Sequence, residues 1–214
     1  MTCRTLSALI AVSAASLLLA GCAAAASDSG DGVPIFPAAP PSAIAAEGEV
    51  LALATVLQRD GEATNLCLAG VMESYPPQCS GPQINGWDWN AIDGDEAAEG
   101  VRWGTYAVQG TWNGEQFTVT QPPIMLALYD PLPIIDPHED PVNKGATSEA
   151  LLLDYQSEIS DTSGEALGVL SSYSNNGYLF VGVIYDDGQI QDYFDEAYGK
   201  DVVVVQSQLR PVAP

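Results

Sequence analysis

The sequence predicts an α+β protein, in which a small antiparallel β barrel or sandwich is followed by a small α+β domain with a βαβ unit. Residues 49–57 alternate as the two faces of a strand, and Asn113-Gly114 is the strongest short signal for a β-hairpin. After residue 147, apolar positions recur at helical spacing between strand-like runs. This change of period separates the two expected domains.

The β domain is expected over residues 47–121. Several short strands joined by polar turns are typical of a small barrel or sandwich, and an OB-like barrel is one such form. An OB-like shape alone would not imply oligonucleotide binding. The expected strands cover residues 49–57, 65–72, 83–89, 101–112 and 115–120.

The α+β domain is expected over residues 147–214. Thr147-Ser148 is a suitable cap for the first helix, and Gly199 ends the last one. A strand, a helix and a strand in succession predict a parallel pair with a helical crossover. The expected elements are helices at 149–159, 166–173 and 189–198 and strands at 178–185 and 202–205.

The composition excludes several classes of partner. The chain of 214 residues has 6 Lys and Arg against 28 Asp and Glu, which gives a formal net charge of −22. Nucleic-acid binding needs clustered basic residues, and binding to anionic lipid headgroups needs them as well. At 47% apolar and 16% charged residues, the chain is too apolar to be wholly disordered. We therefore expect a folded protein that does not bind nucleic acid.

The N-terminus predicts export. Residues 6–20 form an uncharged apolar run of about 22 Å as a helix, too short to span a membrane but suited to a signal peptide. The run ends in Leu19-Ala20-Gly21-Cys22, which resembles the lipobox of bacterial lipoproteins. The resemblance implies that residues 1–21 are cleaved and that the Cys22 thiol carries a diacylglycerol, with fatty acyl chains such as palmitate. It also implies a lipid-anchored protein on the extracytoplasmic face of the cell membrane.

Two segments of unusual composition connect the expected parts. Residues 22–46, rich in Ala, Pro, Ser and Gly, predict a flexible tether with a reach of about 25–30 Å. Residues 122–146 form a linker with six of the fifteen prolines, and its apolar residues indicate that it packs along a domain.

The cysteines predict one disulfide. Cys3 leaves with the signal peptide and Cys22 is committed to lipid, so Cys67 and Cys79 remain as an even pair in an exported protein. A redox pair is the alternative, but the spacing is not C-x-x-C and few basic residues are present to lower the pKa of a thiol.

Trp87 and Trp89 are the candidate ligand platform. If residues 83–89 form a strand, both rings lie on one face and could stack on a sugar or a peptide. The favoured interpretation, however, is that these large side chains fill the core of a small domain, and the ligand platform is the alternative. Residues 66–71, 73–79, 86–89 and 101–104 are similar to uncharacterised exported proteins of high-GC Gram-positive bacteria, a resemblance that implies no activity.

Signals for catalysis and metal binding are few. G-x-S-x-G and H-E-x-x-H are absent from the sequence, and His138 is the only histidine. It lies among carboxylates, where it could act as a base or a ligand, but a solvated loop is the favoured interpretation. The densest group of oxygen ligands departs from the EF-hand pattern at Ile92, so no metal site and no cofactor are expected. That group comprises Asp88, Asn90, Asp93, Asp95, Glu96 and Glu99.

The favoured function is a non-enzymatic binding or envelope-interaction module held at the membrane by the lipid on Cys22. Its partner would be a small molecule, a glycan or a protein. The alternative is an extracytoplasmic hydrolase that uses carboxylates of the acidic β domain.

Overall fold

Eleven strands and two α-helices make up the part of the chain that the computed structural model describes, residues 39–131 and 133–212. The helices are α1 (Glu149–Thr162) and α2 (Gln189–Tyr198). The strands are β1 (Glu49–Arg59), β2 (Asn65–Cys67), β3 (Ile84–Asn85), β4 (Glu96–Ala98), β5 (Val101–Trp112), β6 (Phe117–Val119), β7 (Ile124–Met125), β8 (Val169–Asn175), β9 (Tyr178–Val183), β10 (Val203–Ser207) and β11 (Arg210–Pro211).

The larger sheet is built on two long antiparallel strands, β1 and β5, which pair along their whole lengths. Short strands flank this pair on both edges: β2 and β11 lie beside β1, and β4, β7 and β6 lie beside β5. The predicted β5–β6 hairpin is present, but its loop comprises the four residues 113–116, and of Asn113 and Gly114 only Gly114 has a positive φ, at +97°. The result is a curled, half-barrel sheet.

The alternation of β1 decides which face of this sheet is the core. Val50, Ala52 and Val56 are buried on the inner face with Tyr106 and Phe117, whereas on the opposite face Leu51, Leu53 and Thr55 are only half-buried. The inner face therefore forms the first hydrophobic core, and part of the outer face remains accessible to solvent.

The smaller sheet confirms the predicted βαβ unit. β9 and β10 pair in parallel, with α2 between them in the chain, and β8 pairs antiparallel with β9. Ile190, Phe194 and Tyr198 of α2 lie in a second hydrophobic core with Leu152 and Ile159 of α1. The expected fold class is thus confirmed as a mixed fold of a curled sheet and a small α+β part.

The expected helix at residues 166–173 is wrong, because this segment turns and then enters β8. Asn176 and Gly177 have φ of +51° and +81° and form the turn of the β8–β9 hairpin. Asn-Gly is the preferred pair for such a turn, and the preceding Ser, Tyr and Asn residues are weak helix formers. The expected strands at 65–72 and 83–89 are real but shorter, at three and two residues.

The chain crosses between the two sheets at both ends of the described region. Trp112 Nε1 donates to the carbonyl oxygen of Ile44 at 2.9 Å, which ties the end of the expected tether to β5. At the other end, β11 follows β10 and pairs with β1 of the larger sheet. The described residues, 39–131 and 133–212, belong to one compact unit.

Candidate ligand-binding groove

The structure joins Cys67 and Cys79 in the expected disulfide, with their Cα atoms 5.7 Å apart. Cys67 lies in β2 and is buried beside Leu57 and Trp103. The bond therefore closes the loop that follows β2 onto the sheet. Cys22, the predicted lipidation site, lies outside the described residues.

Trp87 and Trp89 lie in the turns after β3 and not on a strand. Their rings contact each other edge to face, with centroids 5.3 Å apart. Trp89 is buried in the first core and its Nε1 donates to Gln58 Oε1 at 2.7 Å, while Trp87 packs against that core and against Tyr106. The expectation of two rings side by side on a strand does not hold, because the segment bends after Asn85.

The acidic loop is organised by an arginine. Arg102 Nε donates to Asp95 Oδ2 at 2.5 Å, and this hydrogen bond lowers the pKa of the Asp95 carboxyl below its usual range. Asp88 accepts hydrogen bonds from Asn90, and Glu96 lies in β4. Within residues 39–131 and 133–212, no group of three or more His, Cys, Asp or Glu side chains is placed to hold a metal ion.

His138 lies in a fixed turn. Asp136 Oδ1 accepts from the backbone N–H of His138 at 2.9 Å and lies 2.8 Å from its Nδ1. Asn176 Nδ2 donates to the carbonyl oxygens of His138 and Asp140, and Tyr178 packs edge-on against the imidazole. The loop is thus bound to the β8–β9 hairpin, although the sequence suggested a solvated one.

A large groove lies where no candidate site was expected, on the outer face of β1 and β5. Its volume is about 860 Å³, within the range of small-molecule sites. Most of its lining is apolar. The lining residues are Leu51, Leu53, Ala107, Gln109, Gln121, Pro122, Ile124, Tyr129, Pro131, Pro133, Ile134, Arg210, Pro211 and Val212.

Strand register explains how these distant segments meet. Leu53 pairs with Ala107 at the floor of the groove, and Ala107 pairs on its other side with Ile124 of β7. Leu51 pairs with Arg210 of β11, which forms the opposite wall. The small side chain at Ala107 leaves space on the floor, and the proline-rich segment after β7 covers one side.

The groove has few polar side chains: Gln109, Gln121, Tyr129 and Arg210. Gln109 Nε2 donates to Glu49 Oε2 at 2.5 Å, and Thr120 also donates to Glu49. The hydrogen bond from Thr120, and to a lesser extent that from Gln109, lowers the pKa of Glu49. The Glu49 carboxylate is therefore charged and hydrogen-bonded to both side chains. Arg210 is exposed at the rim.

A second cavity of about 470 Å³ adjoins the groove, and the two share Ile134 and Arg210. Its lining is more polar and includes Asp136, Glu139 and Gln206. The two cavities together form a surface that is apolar along most of its length and polar at one end. A ligand with an apolar body and a polar head suits this arrangement.

Neither a protein-family model nor a curated protein nor a solved structure matches this chain. In the part of the chain that the structure describes, neither helix is long and apolar enough to span a bilayer.

Proposed function

We propose that this protein is a lipid-anchored binding protein of the extracytoplasmic face of the membrane, and that the groove on β1 and β5 is its ligand site. The observation that carries the proposal is the groove itself: a mostly apolar cavity of about 860 Å³, a size typical of small-molecule sites, with few polar side chains. The chemistry of this lining suits non-covalent capture of an apolar small molecule.

Exposed apolar side chains around the groove support the proposal. Ile124, Ile134 and Val212 line it and are at least one-third exposed, with Ile134 at 60%. Contiguous apolar surface on a soluble domain is typical of an interaction site. A ligand that covers these residues would gain about 25 cal/mol for each Å² of apolar surface removed from water.

The proposed location rests on the lipobox-like Leu19-Ala20-Gly21-Cys22 and on the disulfide, which fits an oxidising compartment. In this account the lipid on Cys22 holds the protein and the segment after it spaces the folded part from the bilayer. Replacement of Cys22 by Ala should abolish lipidation and release the protein from the membrane fraction. Unchanged fractionation and unchanged mass of the variant would contradict the anchor.

For the curled sheet we also propose an OB-like form of barrel. The proposed ligand site does not depend on this form.

Binding of a neutral apolar fluorophore tests the function. N-phenyl-1-naphthylamine should bind the chain from residue 39 onward, whose described residues belong to one compact unit, with a saturable rise in fluorescence. Leu53→Gln puts an amide on the groove floor and should weaken binding by about tenfold, because it removes apolar contact and buries a polar group.

The matched control is Leu153→Gln, the same change at an exposed leucine of α1 that does not line the groove. It should leave binding unchanged. Equal affinities for the wild type and both variants, or no saturable binding at all, would refute the groove as a ligand site.

A further inference from the structure

We propose that the ligand of the groove is a single-chain lipid that ends in a carboxylate, with its chain along the floor and its head at Arg210. This inference rests on the proposed function and adds the chemical class of the ligand. Arg210 lies at the junction of the apolar groove and the more polar second cavity. Among the described residues, it is the only charged residue that lines both.

Arg210 differs from the other arginines of the described region in having no ion-pair partner there. Arg59 lies 3.7 Å from Glu62, and Arg102 lies 2.5 Å from Asp95. No carboxylate of residues 39–131 or 133–212 lies within 4.0 Å of the Arg210 guanidinium. Five N–H donors in a planar fork, suited to a carboxylate, are therefore available at the end of an apolar groove.

The carboxylates of the adjoining cavity are already engaged. Asp136 accepts from the amide of His138 and lies 2.8 Å from its ring nitrogen. Glu139 accepts a hydrogen bond from the hydroxyl of Tyr173 at 3.3 Å. At the junction, Arg210 is thus the charged group without an ion-pair partner among the described residues, and an anionic head could pair with it.

The walls favour a hydrocarbon chain over a polypeptide. Four of the lining residues, Pro122, Pro131, Pro133 and Pro211, have no backbone N–H to donate to a peptide carbonyl. The side-chain N–H of Gln109 already donates to Glu49. A peptide would bury unpaired backbone groups in such a site, whereas an acyl chain has none to satisfy.

Electrostatics disfavours a second copy of this chain as the occupant. A net charge of −22 on each molecule produces repulsion between copies. The same charge opposes an anionic lipid at long range, but this effect is screened beyond about 8–10 Å, while the contact with Arg210 is direct.

The test is photolabelling of the full chain with a dodecanoic acid that carries a diazirine on its alkyl chain, with the label located by mass spectrometry. Dodecanoate and dodecanol, which have the same chain and different heads, are the competitors. Label should appear in the groove-lining segments, and dodecanoate should compete at about fivefold lower concentration than dodecanol, as expected for an exposed ion pair.

Arg210→Gln should make the two competitors equal while labelling of the groove persists. Lys200→Gln is the matched control, because it removes the same charge from a lysine that lines neither cavity, and it should keep the fivefold preference. Equal competition in the wild type, or a preference that survives Arg210→Gln, would overturn the carboxylate assignment but not the groove.

Other outcomes distinguish the two proposals. If dodecanol displaces the label from the groove at the same concentration as dodecanoate, this inference is refuted and the proposed function stands. Absence of label from the groove, with Leu53→Gln without effect, refutes both. A hydrophobic peptide that displaces the label more strongly than dodecanoate would identify a polypeptide as the ligand and overturn the inference.

Discussion

Removal of the Cys67–Cys79 disulfide should cost about 3 kcal/mol of folding free energy. The two cysteines are 12 residues apart, and a loop of that length gives about 3 kcal/mol at 25 °C in the chain-entropy model. For a chain of this size that loss corresponds to a decrease of about 6–12 °C in the melting temperature. The appropriate variant is Cys67→Ala with Cys79→Ala, because Cys67 is buried and serine would bury a hydroxyl there.

The same change should have a local signature. Tyr75, inside the closed loop, contacts the ring of Trp103 edge to face, with centroids 5.7 Å apart. Trp103 in turn packs beside Cys67. Opening the loop should therefore alter tryptophan fluorescence before global unfolding, which far-ultraviolet circular dichroism follows separately.

Chemical reduction of the wild type is the control, since it opens the loop without removing side-chain volume. If the disulfide stabilises the fold by restricting the unfolded chain, the reduced wild type and the double alanine variant should lose similar free energies of unfolding in urea denaturation. A loss below about 0.5 kcal/mol in both would refute this cause, and a loss confined to the alanine variant would assign the effect to packing around Cys67.

Two further perturbations test the attachment of the loop that carries His138. Burial raises the pKa of Asp136, but hydrogen bonds from His138 more than offset this and hold it below the usual range. The ionised group therefore stabilises the fold above the unfolded pKa of about 3.9, and the contribution is lost as pH falls through the lower folded pKa. Asp136→Asn should cost about 1 kcal/mol at pH 7, with the difference from wild type narrowing below pH 4 in urea denaturation; a constant difference would contradict this cause. Gly177→Ala should cost more than about 1 kcal/mol, because φ is +81° and the new Cβ would lie 2.5 Å from the carbonyl oxygen of Gly145, whereas Gly48→Ala, with open space around it, should lose none of its thermal stability.

Local sequence signals correctly predict the elements in which the buried residues recur at the spacing of a helix or a strand. α2 matches its predicted limits because four apolar residues recur at helical spacing between Gly188 and Gly199, which lie at its two ends. β1 is equally clear from its alternation and continues to Arg59. The disulfide follows from cysteine count and compartment, and the structure confirms it.

The elements that sequence reasoning missed depend on contacts between distant segments. The Asn176-Gly177 turn was a usable signal for β8 as a strand, but the apolar residues before it also fit a helical period. The groove has no local signature, because it forms where Leu51 pairs with Arg210, and these two residues are far apart in the chain. The limits of the two domains, 47–121 and 147–214, stay a prediction.

Intermolecular nuclear Overhauser effects can show whether the groove on β1 and β5 is the ligand site. With methyl groups of Leu, Ile, Val and Ala labelled with ¹³C, bound N-phenyl-1-naphthylamine should contact the methyls of Leu51, Leu53, Ala107 and Ile124, which line the groove. Methyls of the second core, such as Leu152, should give none. Contacts confined to methyls outside the groove would contradict the groove as the ligand site, as would contacts to Leu51, Ala107 and Ile124 that keep their full strength in the Leu53→Gln variant.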